Sequence, residues 1–149
     1  MITKSDLLAG RDSSFASEYT DAISDNLDEV VEKVNQFLDN FAGNIKVTSG
    51  WRPASMNGMV KGALPKSNHI TGNAVDLSDK DNKLMDYILA NLDKATALGL
   101  YFEDFRWTPT WCHVQTVPPK SRKRIYVPSS ALALAPNRWN GKYDSKYDK

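Results

Sequence analysis

Cysteine, histidine and surplus charge are all scarce in this chain. One cysteine among 149 residues cannot form an internal disulfide. That excludes a disulfide-stapled secreted scaffold and a cysteine-rich zinc finger. With only two histidines, a metal site built here must complete its ligand set from carboxylates. Lys and Arg number 19 against 18 Asp and Glu, a formal charge of +1. So small a surplus offers no electrostatic case for nucleic acid as the main partner. No apolar run approaches the ~18 residues of a spanning helix, so membrane insertion is not expected. The opening residues Met1–Leu8 hold no extended apolar core and read as mature sequence without a signal peptide. What is present, 41% hydrophobic and 25% charged residues, suits one ordinary globular domain and is unlike a disordered chain.

Periodicity organises the chain into an α+β pattern. Between Ser17 and Phe41, apolar residues from Ile23 to Phe41 recur at three and four positions, with acids crowding the front half. An amphipathic helix is expected there, stopped by Gly43-Asn44. Ile45–Ser49 alternates as a strand, Gly50–Pro53 is a turn, and Ala54–Val60 is a short helix with Met56, Met59 and Val60 inward. Gly62–Ser67 is a loop and Ala74–Ser78 a strand. Ser78–Asp81 resembles a capping box for a helix carrying Leu84, Ile88, Leu92 and Ala95, ending near Gly99. Further strands are expected at Leu100–Phe105, Trp111–Val117 and Arg124–Val127, with a loop at Arg106–Thr110. The polar tail 137–149, with Trp139, Tyr143 and Tyr147, either wraps over the domain or frays. Without a repeat or linker, residues 1–149 form one domain: a small, mainly antiparallel sheet flanked by helices.

Chemistry concentrates in two stretches. In Ser67–Leu77, Gly72 and Asn73 argue against a helix, leaving His69 on a turn that feeds a strand holding Asp76. An Asp between Val75 and Leu77, both core-facing, needs a metal, a cation or backbone donors. In Trp111–Val117, alternation sets Trp111, His113 and Gln115 on one face and Cys112, Val114 and Thr116 on the other. Cys112 then acts as a small buried hydrophobe and not as a ligand beside His113. Two imidazoles and a carboxylate make a common three-ligand zinc set, and hydrolysis is its natural product. Each residue also has a plain structural use: His69 as a bonded turn residue, Asp76 as a cap, His113 as a half-buried strand residue.

These stretches resemble the M15 peptidases, the zinc D-Ala-D-Ala carboxypeptidases and L-alanyl-D-glutamate endopeptidases, which share a fold with the Hedgehog signalling domain. Three pieces carry the resemblance: Ser49-Gly50-Trp51-Arg52, the run from Ser67 to Asp76, and Trp111-Cys112-His113-Val114-Gln115. They fall within residues 47–117, and Ser-x-His-x-x-Gly-x-Ala-x-Asp is the most specific of them. The resemblance implies that His69, Asp76 and His113 hold Zn2+ and that peptidoglycan stem peptides are the substrate. A compact chain without a signal peptide further resembles the phage endolysins of this family, which are made in the host cytoplasm and reach the wall once the membrane is opened. A monomer is expected.

The chain departs from the family at one position. The general base is usually an acid three residues before the last histidine, and here that residue is Thr110. The nearest upstream carboxylates are Glu103 and Asp104, which alternation sends to opposite faces. Glu103 is favoured because related phage members keep a Glu at the end of this strand; Asp104 is the runner-up. The expected mechanism has Glu103 deprotonate the attacking water and Arg52 pair with a substrate carboxylate or the oxyanion. Ser67 is expected to shape the His69 turn, Gln115 to orient a ligand, and Trp107 and Trp111 either to line the groove or to pack in the core or rim. Competing readings are a D-Ala-D-Ala carboxypeptidase, a zinc- or peptidoglycan-binding domain without catalysis, and a phage structural domain. A metal-dependent nuclease is disfavoured, since Lys120–Arg124 is the sole basic run.

Overall fold

The structure, a computed structural model, describes residues 1–59 and 66–128. Its centre is a five-stranded sheet built from β1 (Val47–Ser49), β2 (Ala74–Ser78), β3 (Tyr101–Glu103), β4 (Trp111–Gln115) and β5 (Ile125–Tyr126), in the order β1-β2-β4-β3-β5. Every pairing is antiparallel except β3 with β5. The α+β reading therefore holds, with one parallel pair at the edge.

Alternation along these strands sorts side chains onto two faces. Val75, Leu77, Cys112, Val114, Phe102 and Ile125 make the apolar face, and all are buried. They pack into one core with Leu27, Val30, Val34 and Phe37 of α3 (Asp21–Phe37) and with Leu84, Met85 and Ile88 of α5 (Lys83–Ala90). The other face carries the polar residues. Asp76 lies opposite His113, Tyr101 opposite Gln115, and Glu103 opposite Tyr126. Continuing the β3–β4 register one pair along the polar face sets Glu103 beside His113. Asp76, His113, Glu103 and Tyr126 thus form one row across four strands.

The helices differ from the periodic reading in instructive ways. α3 starts at Asp21 because Thr20 caps it, its Oγ1 accepting from the Ile23 amide at 3.2 Å. It ends at Phe37, well before Gly43, although Phe41 still packs edge-on against Tyr87. Two short helices precede it, α1 (Lys4–Leu8) and α2 (Arg11–Ser14), each too brief to show a period. α4 (Ala54–Asn57) stops at Gly58, so Met59 is 85% exposed instead of facing inward, while Asn57 is buried. The expected capping box at Ser78 does not form. Asp79 serves instead, its two carboxylate oxygens accepting from the Leu84 and Met85 amides at 2.9 Å. The helix beyond is broken at Asn91, whose side chain donates to the Tyr87 carbonyl, and α6 (Leu92–Leu98) follows up to Gly99 at φ 71°.

β2 spans Ala74–Ser78 as expected, and the other four strands are shorter than expected. Asp104 ends β3 by capping a 3-10 turn, Phe105–Trp107, within the stretch read partly as strand and partly as loop. Val60, residues 62–65 of the expected loop and the whole 137–149 tail lie outside the described residues.

Candidate metal centre

His69 reaches the centre from a turn that is held at several points. Its amide donates to Ser67 Oγ at 3.2 Å, and its carbonyl accepts from the Arg52 amide at 3.0 Å. Gly72, at φ 79°, then reverses the chain against α3, where a Cβ would lie 2.9 Å from the Ile23 carbonyl. Asp76 and His113 arrive on adjacent strands as direct partners. Ligating atoms of all three side chains lie within 4.8 Å of one another.

The hydrogen bonds around this trio decide its chemistry. His69 Nδ1 lies 2.9 Å from the Gly50 carbonyl, which only accepts, so Nδ1 carries the proton. His113 Nε2 lies 2.8 Å from Gln115 Oε1. The Gln115 amide is oriented by its own NH2, which donates to the Val117 carbonyl at 2.6 Å, so its oxygen faces His113 and Nε2 carries that proton. In their neutral forms both rings therefore turn lone pairs inward: His69 Nε2 is 3.3 Å from one oxygen of Asp76 and His113 Nδ1 is 2.9 Å from the other. Three acceptors facing one another, two of them on buried imidazoles, require positive charge between them. A divalent cation meets that need, and so would protons. These donors, imidazole nitrogens anchored by hydrogen bonds on their far side and one carboxylate, are those of a three-ligand zinc site.

The electrostatics carry the same demand. Burial alone would raise Asp76, but the charge of His69 and the hydrogen bond that a doubly protonated His113 donates hold it well below the usual carboxylate range. Burial would lower His113, yet the hydrogen bond and charge of Asp76, with the charge of Glu103, push it up to about 9.

The two candidate bases separate clearly. Asp104 is buried and taken up by Arg106, whose Nε and terminal NH2 donate to its oxygens at 3.0 and 2.7 Å. Glu103 lies on the polar face beside His113 and feels the charges of both His113 and Asp76. Burial, aided by Asp76 and Asp104, raises its pKa above that of an ordinary glutamate. Thr110 sits in a turn at φ 89° and is exposed.

Arg52 is half-buried, its guanidinium donating to Asn57 Oδ1 and Ser49 Oγ at 3.2 and 3.4 Å, within the field of Asp76. Trp111 starts β4 on the polar face, while Trp107 lies in the 3-10 turn with the Arg106 guanidinium over its ring. Cys112 points away from the trio, toward Asp79. Two contributors were not legible in the linear pattern. Gly50 supplies the carbonyl that orients His69, and Tyr126, beside Glu103, donates to Gln115 Oε1 at 2.6 Å. Gly50 must be glycine because a Cβ there would lie 2.2 Å from the Leu7 carbonyl. Gly50→Ala is expected to destabilise the fold by about 1–3 kcal/mol, checked by chemical unfolding.

A family model described as Peptidase M15 matches residues 8–114. Among solved structures, the Serratia marcescens L-Ala D-Glu endopeptidase ChiX is similar at a TM-score of 0.47 and 19% identity, covering 66% of this chain and 89% of that one. No curated protein matches the sequence.

Proposed function

The chain belongs to the M15 peptidase family, and from that premise we propose that it is a zinc-dependent peptidase cutting an amide bond in peptidoglycan stem peptides. The observation that carries the reading is the convergence of His69 Nε2, His113 Nδ1 and both oxygens of Asp76, with each imidazole proton committed elsewhere. Those three residues would hold the ion. Zinc bound there supplies a Lewis acid and makes water a nucleophile near neutral pH.

The chain's own residues do the rest. Glu103, desolvated beside His113, takes a proton from the attacking water and delivers it to the leaving amine. Arg52 offers the donors that remain on its guanidinium to a substrate carboxylate, of which stem peptides have several. Trp111 lies on the same sheet face, opposite Ser78, where it would line the path of the substrate. We assign the site of action to the cell wall, in a lytic role like that of phage endolysins of this family. Arg52→Ala is expected to lower kcat/KM on stem peptides by about 10–100-fold. An unchanged value would reduce Arg52 to a support of the Ser49–Asn57 turn.

Thr110 favours a second reading, a zinc- and wall-binding domain that does not cut, because the family's usual base is missing there. The two readings part in one experiment. Zinc-loaded chain incubated with purified sacculi releases peptide fragments under the first and only sediments with the wall under the second.

A further inference from the structure

Tyr126 stands at the edge of the sheet, on a two-residue strand, yet its hydroxyl is turned inward to the centre's polar face. It is the register partner of Glu103 across the parallel β3–β5 pair. Its proton goes to Gln115 Oε1 at 2.6 Å, the same oxygen that accepts from His113 Nε2 at 2.8 Å. Gln115 is in turn tied at its nitrogen to the Val117 carbonyl. A free glutamine side chain has three rotatable torsions, and any rotation here would strip His113 of its acceptor. Three bonds hold it still, and Tyr126 makes the one that comes from outside β4 and its continuation.

We propose that Tyr126 is a positioning residue for the metal centre, acting through Gln115 to hold His113 with Nδ1 aimed at the ion. The proposal rests on the zinc reading above. Tyr126 touches neither ligand atoms nor substrate in this role. Its effect is to keep one tautomer and one ring orientation of His113, in the way outer partners of metal-bound imidazoles do. Burial and the charges of Glu103 and Asp76 raise the phenol's pKa, so it stays a donor at neutral pH.

The test is a double-mutant cycle on zinc affinity, read by competition with a chromophoric chelator in the full chain. Tyr126→Phe keeps the ring and removes only the hydroxyl, and its unfolding midpoint reports whether packing survives. The expected result is a zinc affinity weakened about 10-fold in Tyr126→Phe, within the range for such partners. In a Gln115→Leu background the same substitution should have no further effect. In spectra of 15N-histidine-labelled, zinc-loaded chain, the His113 Nε2 proton should exchange faster with solvent in Tyr126→Phe. An affinity within twofold of the parent overturns the proposal. So does an equal loss in the Gln115→Leu background, which would mean that Tyr126 acts by another route. A parent chain that takes up no zinc overturns the metal reading itself, and this proposal with it.

Discussion

Replacing Glu103 by Gln is expected to lower the rate of stem-peptide cleavage by about 10²–10⁴-fold while zinc uptake stays stoichiometric. The substitution keeps shape and hydrogen-bonding capacity but removes proton affinity. Glu103 is placed for the task by sheet register: it lies in the row that runs from Asp76 through His113 to Tyr126. Burial, reinforced by Asp76 and Asp104, also raises its pKa above that of an ordinary glutamate, which makes it a stronger base. Asp104 has neither quality. Its oxygens serve the Arg106 guanidinium and cap the 3-10 turn, so Asp104→Asn is expected to cost stability first. Steady-state kinetics together with metal analysis of Glu103→Gln check this. Full activity in that variant would take the base role away from Glu103.

Asp76→Ala should abolish zinc binding and activity together. Asp76 is the shared partner of both imidazoles, one oxygen to each. Its loss removes a ligand and the negative charge that draws a cation into a buried pocket. The drop in zinc affinity should exceed the about 100-fold upper range for outer partners such as Gln115. Thermal unfolding gives a second readout. A bound ion stabilises the folded parent by about 2.7 kcal/mol when free zinc is 100 times Kd. The zinc-dependent rise in Tm expected of the parent should vanish in Asp76→Ala. A variant that still shows the full rise would mean the ion binds elsewhere.

Much of this geometry is legible in the linear sequence, because local rules govern it. Gly72 and Asn73 forbid a helix between His69 and Asp76, and alternation separates His113 from Cys112. Those rules set His69 on a turn and Asp76 and His113 on strands; that the three act together is what the family resemblance implies, and the β2–β4 pairing is what sets Asp76 opposite His113. The pairing of β5 with β3 obeys no local rule. It is a parallel contact between Glu103 and Tyr126, set by the path of the chain between them. For that reason Tyr126 carried no signal, and the choice between Glu103 and Asp104 rested on resemblance. Gly50 gives a further case. Its glycine identity follows from the backbone of α1 lying against it, a long-range contact invisible in the Gly50–Pro53 turn. The helix ends shifted for a simpler reason. Caps such as Thr20 and Asp79 override apolar periodicity wherever their oxygens find the first free amides.

In the proposed mechanism the trio of His69, Asp76 and His113 supports hydrolysis of a wall peptide with Glu103 as base. Mass spectrometry of purified peptidoglycan, digested by the zinc-loaded chain with and without chelator, tests it most directly. The predicted result is stem-peptide fragments bearing a new amine and a new carboxylate, absent with chelator, restored by zinc and absent with Glu103→Gln. Intact muropeptides from a zinc-loaded chain that sediments with the sacculi would contradict it.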